Sequence, residues 1–212
     1  MTPEHAQARV GKVTASRVHD IIATTKSGGF SAGRKNYLAE LVAERLTGAP
    51  APSYQSAAMA YGIECEAEAR VAYVRQSSSM IEVVKVEEVG FVPHPTIKDA
   101  GCSPDGMVGK DGLIEIKCPN TATHIDTLLR GVIPVEYISQ MQWQMACTGR
   151  AWCDYVSYDR RLPEHMRLWV RRVPVDPKIV KGMDEQVVAF LAELADTVAL
   201  LQERFPAPAE AA

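Results

Sequence analysis

Midway along the chain, Met107-Val108 and Leu113 to Lys117 flank the turn Gly109-Lys110-Asp111-Gly112. Two apolar runs joined by a glycine-bearing turn read as a β-hairpin. A hairpin by itself is marginal in water and must add strands or pack against helices. The rest of the chain supplies both. Trp152 to Tyr158 and Arg167 to Val173 read as two more strands, and a helix from about Val135 to Cys147, closed by Gly149, separates them from the hairpin. The pattern predicts an α/β fold with a mixed central β-sheet flanked by α-helices.

Upstream, Thr14 is placed to cap a short helix through Val18, Ile21 and Ile22, and Gly28-Gly29 interrupts it with a loop that contains Lys26. A helix from about Gly33 to Leu46 puts Tyr37, Leu38, Leu41, Val42 and Leu46 on one face and ends at Gly48. Another, from about Ala57 to Gln76, is expected to turn Ile63, Ala67, Val71 and Val74 inward. Val83-Val84, Val86 and Val89 to Val92 read as a bent or bulged strand pair. Asp176-Pro177 starts a long amphipathic C-terminal helix, with proline at its first position. One domain over residues 1–205 is expected, followed by a disordered tail, 206–212.

With 212 residues, 47% hydrophobic and 23% charged, the chain can bury a full core, which excludes a disordered or collagen-like polypeptide. No apolar run approaches the roughly 18 residues needed to span a bilayer, and Met1 to Gly11 has no signal-peptide core, so a cytoplasmic protein is expected. Cys65, Cys102, Cys118, Cys147 and Cys153 are odd in number and lack zinc-site spacing; they read as reduced core residues. The net charge of −3 hides an asymmetry. Up to Asn36 six basic residues face two acidic ones, a net of +4, so the remaining 176 residues carry −7. A basic segment on an acidic body suits a protein that grips an anion at one place.

The chemistry concentrates in Cys102-Ser103-Pro104-Asp105-Gly106 and Leu113-Ile114-Glu115-Ile116-Lys117-Cys118-Pro119. Strand alternation points Glu115 and Lys117 one way and Ile114 and Ile116 into the core. Asp105, on the preceding hairpin arm, can converge on the same point. Two carboxylates and a lysine suit Mg²⁺ and a phosphodiester, because magnesium prefers oxygen ligands and completes its shell with water and phosphate oxygens. On the helix before them, Glu66 stands at the border of the apolar face, where a third carboxylate can face this site. Gln140 and Gln142 place neutral amides beside a stripe of Ile138, Met141 and Met145.

Pro104-Asp105 with Glu115-Ile116-Lys117 is the PD-(D/E)xK nuclease pattern. The ordered motifs VTASRV (13–18), AMAYGIECEAEAR (58–70), CSPDG (102–106), LIEIKCP (113–119), YISQMQWQM (137–145) and YDRR (158–161) together resemble the bacteriophage lambda exonuclease or YqaJ-type viral recombinase exonucleases, from about Arg9 to Asp159. The resemblance implies a restriction-endonuclease-like core. It implies that Asp105, Glu115 and the backbone carbonyl of Ile116 ligate two Mg²⁺ ions, with Mn²⁺ as a substitute, and that Lys117 positions the attacking water. Glu66 and Gln142 are implied beside the metals and their waters. Arg9, Ser16 and Ser103 are implied to hold a 5′-phosphate, Met59 to wedge apart terminal base pairs, and Lys26 to reach the minor groove.

The activity so implied is 5′→3′ hydrolysis of one strand at double-stranded DNA ends. It releases 5′-mononucleotides and leaves a 3′ tail for a single-strand annealing protein, in a phage setting, from a homotrimeric ring. Two rivals are a different PD-(D/E)xK endonuclease or repair nuclease and a non-catalytic DNA-end-binding scaffold. The spacing of the cysteines argues against the iron–sulfur branch of that superfamily, and three intact catalytic-type residues argue against the scaffold.

Overall fold

A computed structural model describes residues 3–25, 27–52, 57–78 and 84–206. Lys26 and the expected tail beyond Pro206 lie outside the described residues, as does the side chain of Met59. In chain order the elements are α1 (Pro3–Gln7), β1 (Val13–Thr14), α2 (Val18–Ile22), α3 (Ala32–Thr47), α4 (Ala57–Ser77), β2 (Val86–Glu87), β3 (Val92–Pro93), β4 (Ala100–Cys102), β5 (Gly106–Val108), β6 (Gly112–Lys117), α5 (Thr121–Arg130), α6 (Val135–Thr148), β7 (Trp152–Tyr158), β8 (Leu168–Pro174) and α7 (Pro177–Arg204). Short 3-10 turns occupy Ala15–Arg17 and Glu164–Met166. No helix among the described residues is long and apolar enough to cross a membrane.

The strands form two mixed sheets. One has the order β2-β5-β6-β7-β8, with β6 and β7 parallel and the other neighbours antiparallel. The other has the order β1-β4-β3, with β1 parallel to β4. The expected hairpin is β5–β6, in register Val108↔Gly112. The expected strand pair before it does not form. Val86 pairs with Val108 in the larger sheet, whereas Val92 pairs with Cys102 in the smaller one, so the two valine runs serve different sheets.

The helix ends follow from side-chain chemistry. Ser31 Oγ accepts the Arg34 N–H at the start of α3, and Asp176 accepts the N–H groups of Lys178 and Ile179 at the start of α7. Gly48, with φ of 69°, closes α3 in the left-handed conformation that glycine adopts without strain. Asn120 caps α5 and Gly131 ends it, a helix not among those expected from the sequence.

The inward face of α4 differs from the expected one. Cys65, Ala69 and Tyr73 are buried against Val108, Ile114, Ile116, Val156 and Tyr158 of the larger sheet, while Ile63 and Val71 are exposed. The set 65, 69, 73 is a stricter i, i+4 stripe, and its small members let the helix approach the strands closely. In α3 the expected face holds for Tyr37, Leu41 and Val42, but Leu46 is exposed in the last turn.

Helix α6 lies between the two sheets. Met141 and Met145 pack on Leu113, Cys153 and Tyr155 of the larger sheet, opposite the face that α4 covers. Trp143 and Cys147 join α2, α3, α7 and β4 in the other core. Buried on two sides, α6 packs Met141, Trp143 and Met145 into the cores, and the glutamines beside them donate hydrogen bonds from their side-chain amides. All five cysteines are free, four of them buried.

Candidate active site

The register of the hairpin creates the site. Gly106 pairs with Ile114, and continuing the ladder would bring Pro104 opposite Ile116. Proline has no N–H to give, so the ladder stops there. The next residue takes over: Asp105 Oδ2 accepts the Ile116 N–H at 2.6 Å, which fixes its carboxyl beside the end of β6. On that strand Glu115 is 2% exposed and Lys117 Nζ lies 2.6 Å from Glu115 Oε1. Both strand faces are buried, one under α4 and one under α6, so Glu115 and Lys117 occupy an interior cleft instead of a solvated surface.

Helix α6 supplies the groups that hold Glu115. Gln140 Nε2 donates to Glu115 Oε1 at 2.7 Å and Gln144 Nε2 to Glu115 Oε2 at 2.6 Å. Gln142 is a correction. Two residues from each of them, it turns about 200° away on the helix. Its amide donates to the Pro174 carbonyl at 2.9 Å, and its Oε1 accepts the Asp176 N–H at 2.8 Å. It ties α6 to the start of α7 and does not reach the carboxylates. The i, i+4 spacing of Gln140 and Gln144 is the signal in the sequence that identifies the pair facing Glu115. Replacing Gln140 by alanine is expected to lower kcat by about tenfold. Gln142→Ala is expected to leave kcat at wild type and cost about 1–2 kcal/mol in urea unfolding, since it strands two backbone groups. Steady-state kinetics and urea denaturation of the two variants check both outcomes.

A cavity of about 500 Å³ gathers most of the expected residues: Asp105, Glu115, Ile116 and Lys117, with Glu66, Arg9, Ser16 and Ser103 also in its lining. Arg9 Nη2 points to Ser16 Oγ at 3.5 Å. The basic N-terminal segment is only partly free to meet an anion, because Arg17 is paired with Asp20 and Glu40 and Arg34 with Glu193. Sequence reasoning missed Tyr137, which also lines the cavity and presents its ring 4.7 Å from the Lys117 ammonium.

Electrostatics follow from burial. Desolvation pushes the Asp105 carboxyl well above the usual carboxylate range, and the charges of Glu115 and Glu66 push the same way, against the Ile116 N–H and Lys117. Burial alone would lower the Lys117 ammonium, but the charge and hydrogen bond of Glu115 reverse this and raise it, with help from Asp105 and Tyr137. Burial, reinforced by Cys65, Glu66 and Asp105, lifts the Cys118 thiol to about 12. The remaining donors are oxygens, and a divalent cation among them would relieve the repulsion between the carboxylates. No three His, Cys, Asp or Glu side chains among the described residues form a metal cage.

The far lip of the cavity is clasped by the YDRR segment. Asp159, fully buried, accepts from Tyr61 Oη at 3.0 Å and from Arg161 Nε at 2.7 Å, while Arg161 Nη2 also donates to the Pro119 carbonyl at 2.9 Å. Tyr61 precedes Gly62 and Ile63 of one wall, and Pro119 belongs to the other. Burial opposes the Asp159 charge, but Arg161, Thr121 and Tyr61 outweigh it and hold the carboxyl well below its usual range.

A mixed sheet whose hairpin ends in a Pro-Asp break beside a Glu-x-Lys strand, with helices on both faces, defines a nuclease-like fold. Residues 4–151 match the YqaJ-like viral recombinase domain, and the chain belongs to that family. LHK-Exo, an alkaline exonuclease from Laribacter hongkongensis, is 49% identical; its crystal structure matches over 96% of this chain and 97% of that one, with a TM-score of 0.87. A second crystal structure of LHK-Exo, in complex with dAMP, matches equally. A phage-related exonuclease from Haemophilus somnus 129PT shares the fold at 16% identity, with a TM-score of 0.73 over 90% of this chain and 96% of that one. No curated protein matches.

Proposed function

We propose that this protein is a divalent-metal-dependent DNA exonuclease that degrades one strand of a duplex from a phosphorylated 5′ end, releasing 5′-mononucleotides and leaving a 3′ tail. The observation that carries the reading is one cavity holding two unlike sets of groups: Asp105, Glu115 and Lys117 for phosphodiester hydrolysis, and Arg9, Ser16 and Ser103 for a terminal phosphate. Family membership and the 49% identity to an alkaline exonuclease support a DNA exonuclease. The dAMP bound by that relative supports a mononucleotide as product.

Asp105 and Glu115, with the Ile116 carbonyl, are the residues that would hold Mg²⁺ or Mn²⁺. Bound there, the ions would polarise the scissile phosphate and acidify a water molecule. Lys117 stays cationic, so it holds the attacking water through a lone pair and stabilises charge developing on the phosphate oxygens. Gln140 and Gln144 fix both Glu115 oxygens with neutral donors, which orient the carboxylate without adding a second positive charge to that of Lys117. Arg9 and the two serine hydroxyls supply charge-assisted hydrogen bonds to a terminal phosphate. Met59 as strand wedge and Lys26 as minor-groove contact belong to the same reading, as do a ring of three subunits and transfer of the tail to a single-strand annealing protein. Family membership is their support.

The test uses a blunt duplex labelled at one 3′ end and made with or without 5′-phosphates. Digestion in Mg²⁺, Mn²⁺ or EDTA is expected to release mononucleotides from the phosphorylated duplex, at least about tenfold faster than from the hydroxyl form, and nothing in EDTA. Internal cuts, or equal rates on both ends, would remove the end-directed part of the proposal. Binding without cleavage in any metal would remove all of it.

A further inference from the structure

Arg70 has no part in the chemistry above, yet it touches the metal-site residues from behind. One turn of α4 after Glu66, its Nη2 donates to Glu66 Oε1 at 2.7 Å and to the Asp105 carbonyl oxygen at 3.0 Å, and its Nη1 reaches Glu88 Oε1 at 2.5 Å. The side chain is 16% exposed, and Nε is buried with no hydrogen-bond partner. A surface ion pair does not require burial of a guanidinium at that cost. The Glu88 contact is largely solvated, with that side chain 73% exposed. What burial secures is the pair of contacts on the cavity side. One guanidinium nitrogen spans the third carboxylate and the backbone of the first, which joins α4 to the Pro-Asp break.

We infer that Arg70 is a positioning residue that restrains Glu66, keeping it beside the metal site but out of direct ligation, and sets the charge that a divalent cation meets there. The inference rests on the metal-dependent reading of the site. Asp105 and Glu115 already crowd negative charge into a buried space. A third carboxylate free to swing onto the cation would tighten its grip and displace the water or phosphate oxygens that the reaction needs. With Arg70 bound, Glu66 is neutralised in place and limited to outer contacts. A lysine keeps the charge but offers one nitrogen where Arg70 uses two, one on Glu88 and one on Glu66 and the Asp105 carbonyl, so it cannot hold all three in place.

The experiment measures Mn²⁺ binding to the full chain without DNA, by electron paramagnetic resonance of free Mn²⁺, together with kcat and KM on phosphorylated duplex ends and thermal unfolding. For Arg70→Met the Mn²⁺ dissociation constant is expected to fall by up to about tenfold while kcat falls by about tenfold or more, with KM within about twofold of wild type. Adding Glu66→Gln to that variant is expected to return the Mn²⁺ affinity to within about threefold of wild type, because the released carboxylate is gone. Arg70→Lys is expected to bind Mn²⁺ as wild type does but turn over more slowly, and it decides the case if Arg70→Met does not fold. Weaker or unchanged Mn²⁺ binding in Arg70→Met, or a wild-type kcat in Arg70→Lys, overturns the role of Arg70 and leaves the metal site standing. Wild-type protein that neither binds Mn²⁺ nor needs a divalent ion for cleavage overturns the metal site and the inference with it.

Discussion

Asp105→Asn and Lys117→Ala are each expected to lower kcat by about a thousandfold or more, measured as nucleotide release from phosphorylated duplex ends. The two variants separate chemistry from folding. Asparagine keeps an oxygen for the Ile116 N–H, so the end of β6 stays pinned, but it removes a charge that burial and two neighbouring carboxylates disfavour. A carboxyl raised in the folded state opposes folding wherever it is ionised, so Asp105→Asn is expected to melt at a higher temperature than wild type in EDTA. Lys117→Ala takes away the partner of Glu115 but leaves both glutamine donors. Loss of activity with gain of stability in the first variant would mark Asp105 as held in place for function at a cost to the fold. A variant that is both inactive and less stable would assign Asp105 a structural duty instead.

Trp143→Ala is expected to destabilise the fold by about 3–5 kcal/mol, read from urea unfolding. Trp143 is fully buried, donates from Nε1 to the Gly101 carbonyl at 3.2 Å, and stacks on His94 with ring centroids 4.9 Å apart. Removal opens a cavity between α6 and the smaller sheet and takes a side-chain hydrogen bond from the Gly101 carbonyl. Gln144 follows it on the same helix, so the glutamine grip on Glu115 depends on how firmly Trp143 seats α6. The milder Trp143→Phe is expected to lose less stability and to retain nuclease activity at low temperature.

Signals local to the chain carried most of the fold. The hairpin, the strands Trp152–Tyr158 and Leu168–Pro174, and the Asp176-Pro177 helix start depend on turns, alternation and caps that neighbouring residues set. What was hidden depends on partners distant in sequence. Helix α4 is apolar on more than one side, and only the strands it meets select Cys65, Ala69 and Tyr73 over Ile63 and Val71. The valines near 86 and 92 look like one strand pair, but their partners lie in separate sheets. Helix α5 carries His124 and Thr127 on its buried side, polar residues that break the apolar pattern; its legible signal was the pair Asn120 and Gly131 at the ends.

At the site, Pro104-Asp105 and Glu115-Ile116-Lys117 were legible because proline, strand alternation and charge constrain one another over a dozen residues. Arg9 and Ser16 from the N-terminal segment, Glu66 from α4 and Ser103 from beside Pro104 line the same cavity. Gln142 was misplaced because periodicity alone left the glutamines of α6 without a fixed phase. The helix is buried on both sides, so no solvent face orients it. Arg70 gives no such signal: its i, i+4 spacing from Glu66 fits any surface ion pair, and its contact with the Asp105 backbone joins residues distant in sequence.

The parallel pairing of β6 with β7 has a consequence for how the protein is made. β6 leaves the ribosome with Asp105, Glu115 and Lys117 already synthesised, yet the strand beside it begins only at Trp152, after two helices. Parallel neighbours cannot dock by a tight turn, so the chain must wait for that crossover to close. Until then Glu115 sits on an unprotected sheet edge in water. The closed cavity therefore arrives late in translation, and a nascent chain stalled before Tyr158 holds Asp105, Glu115 and Lys117 without the parallel strand that buries them.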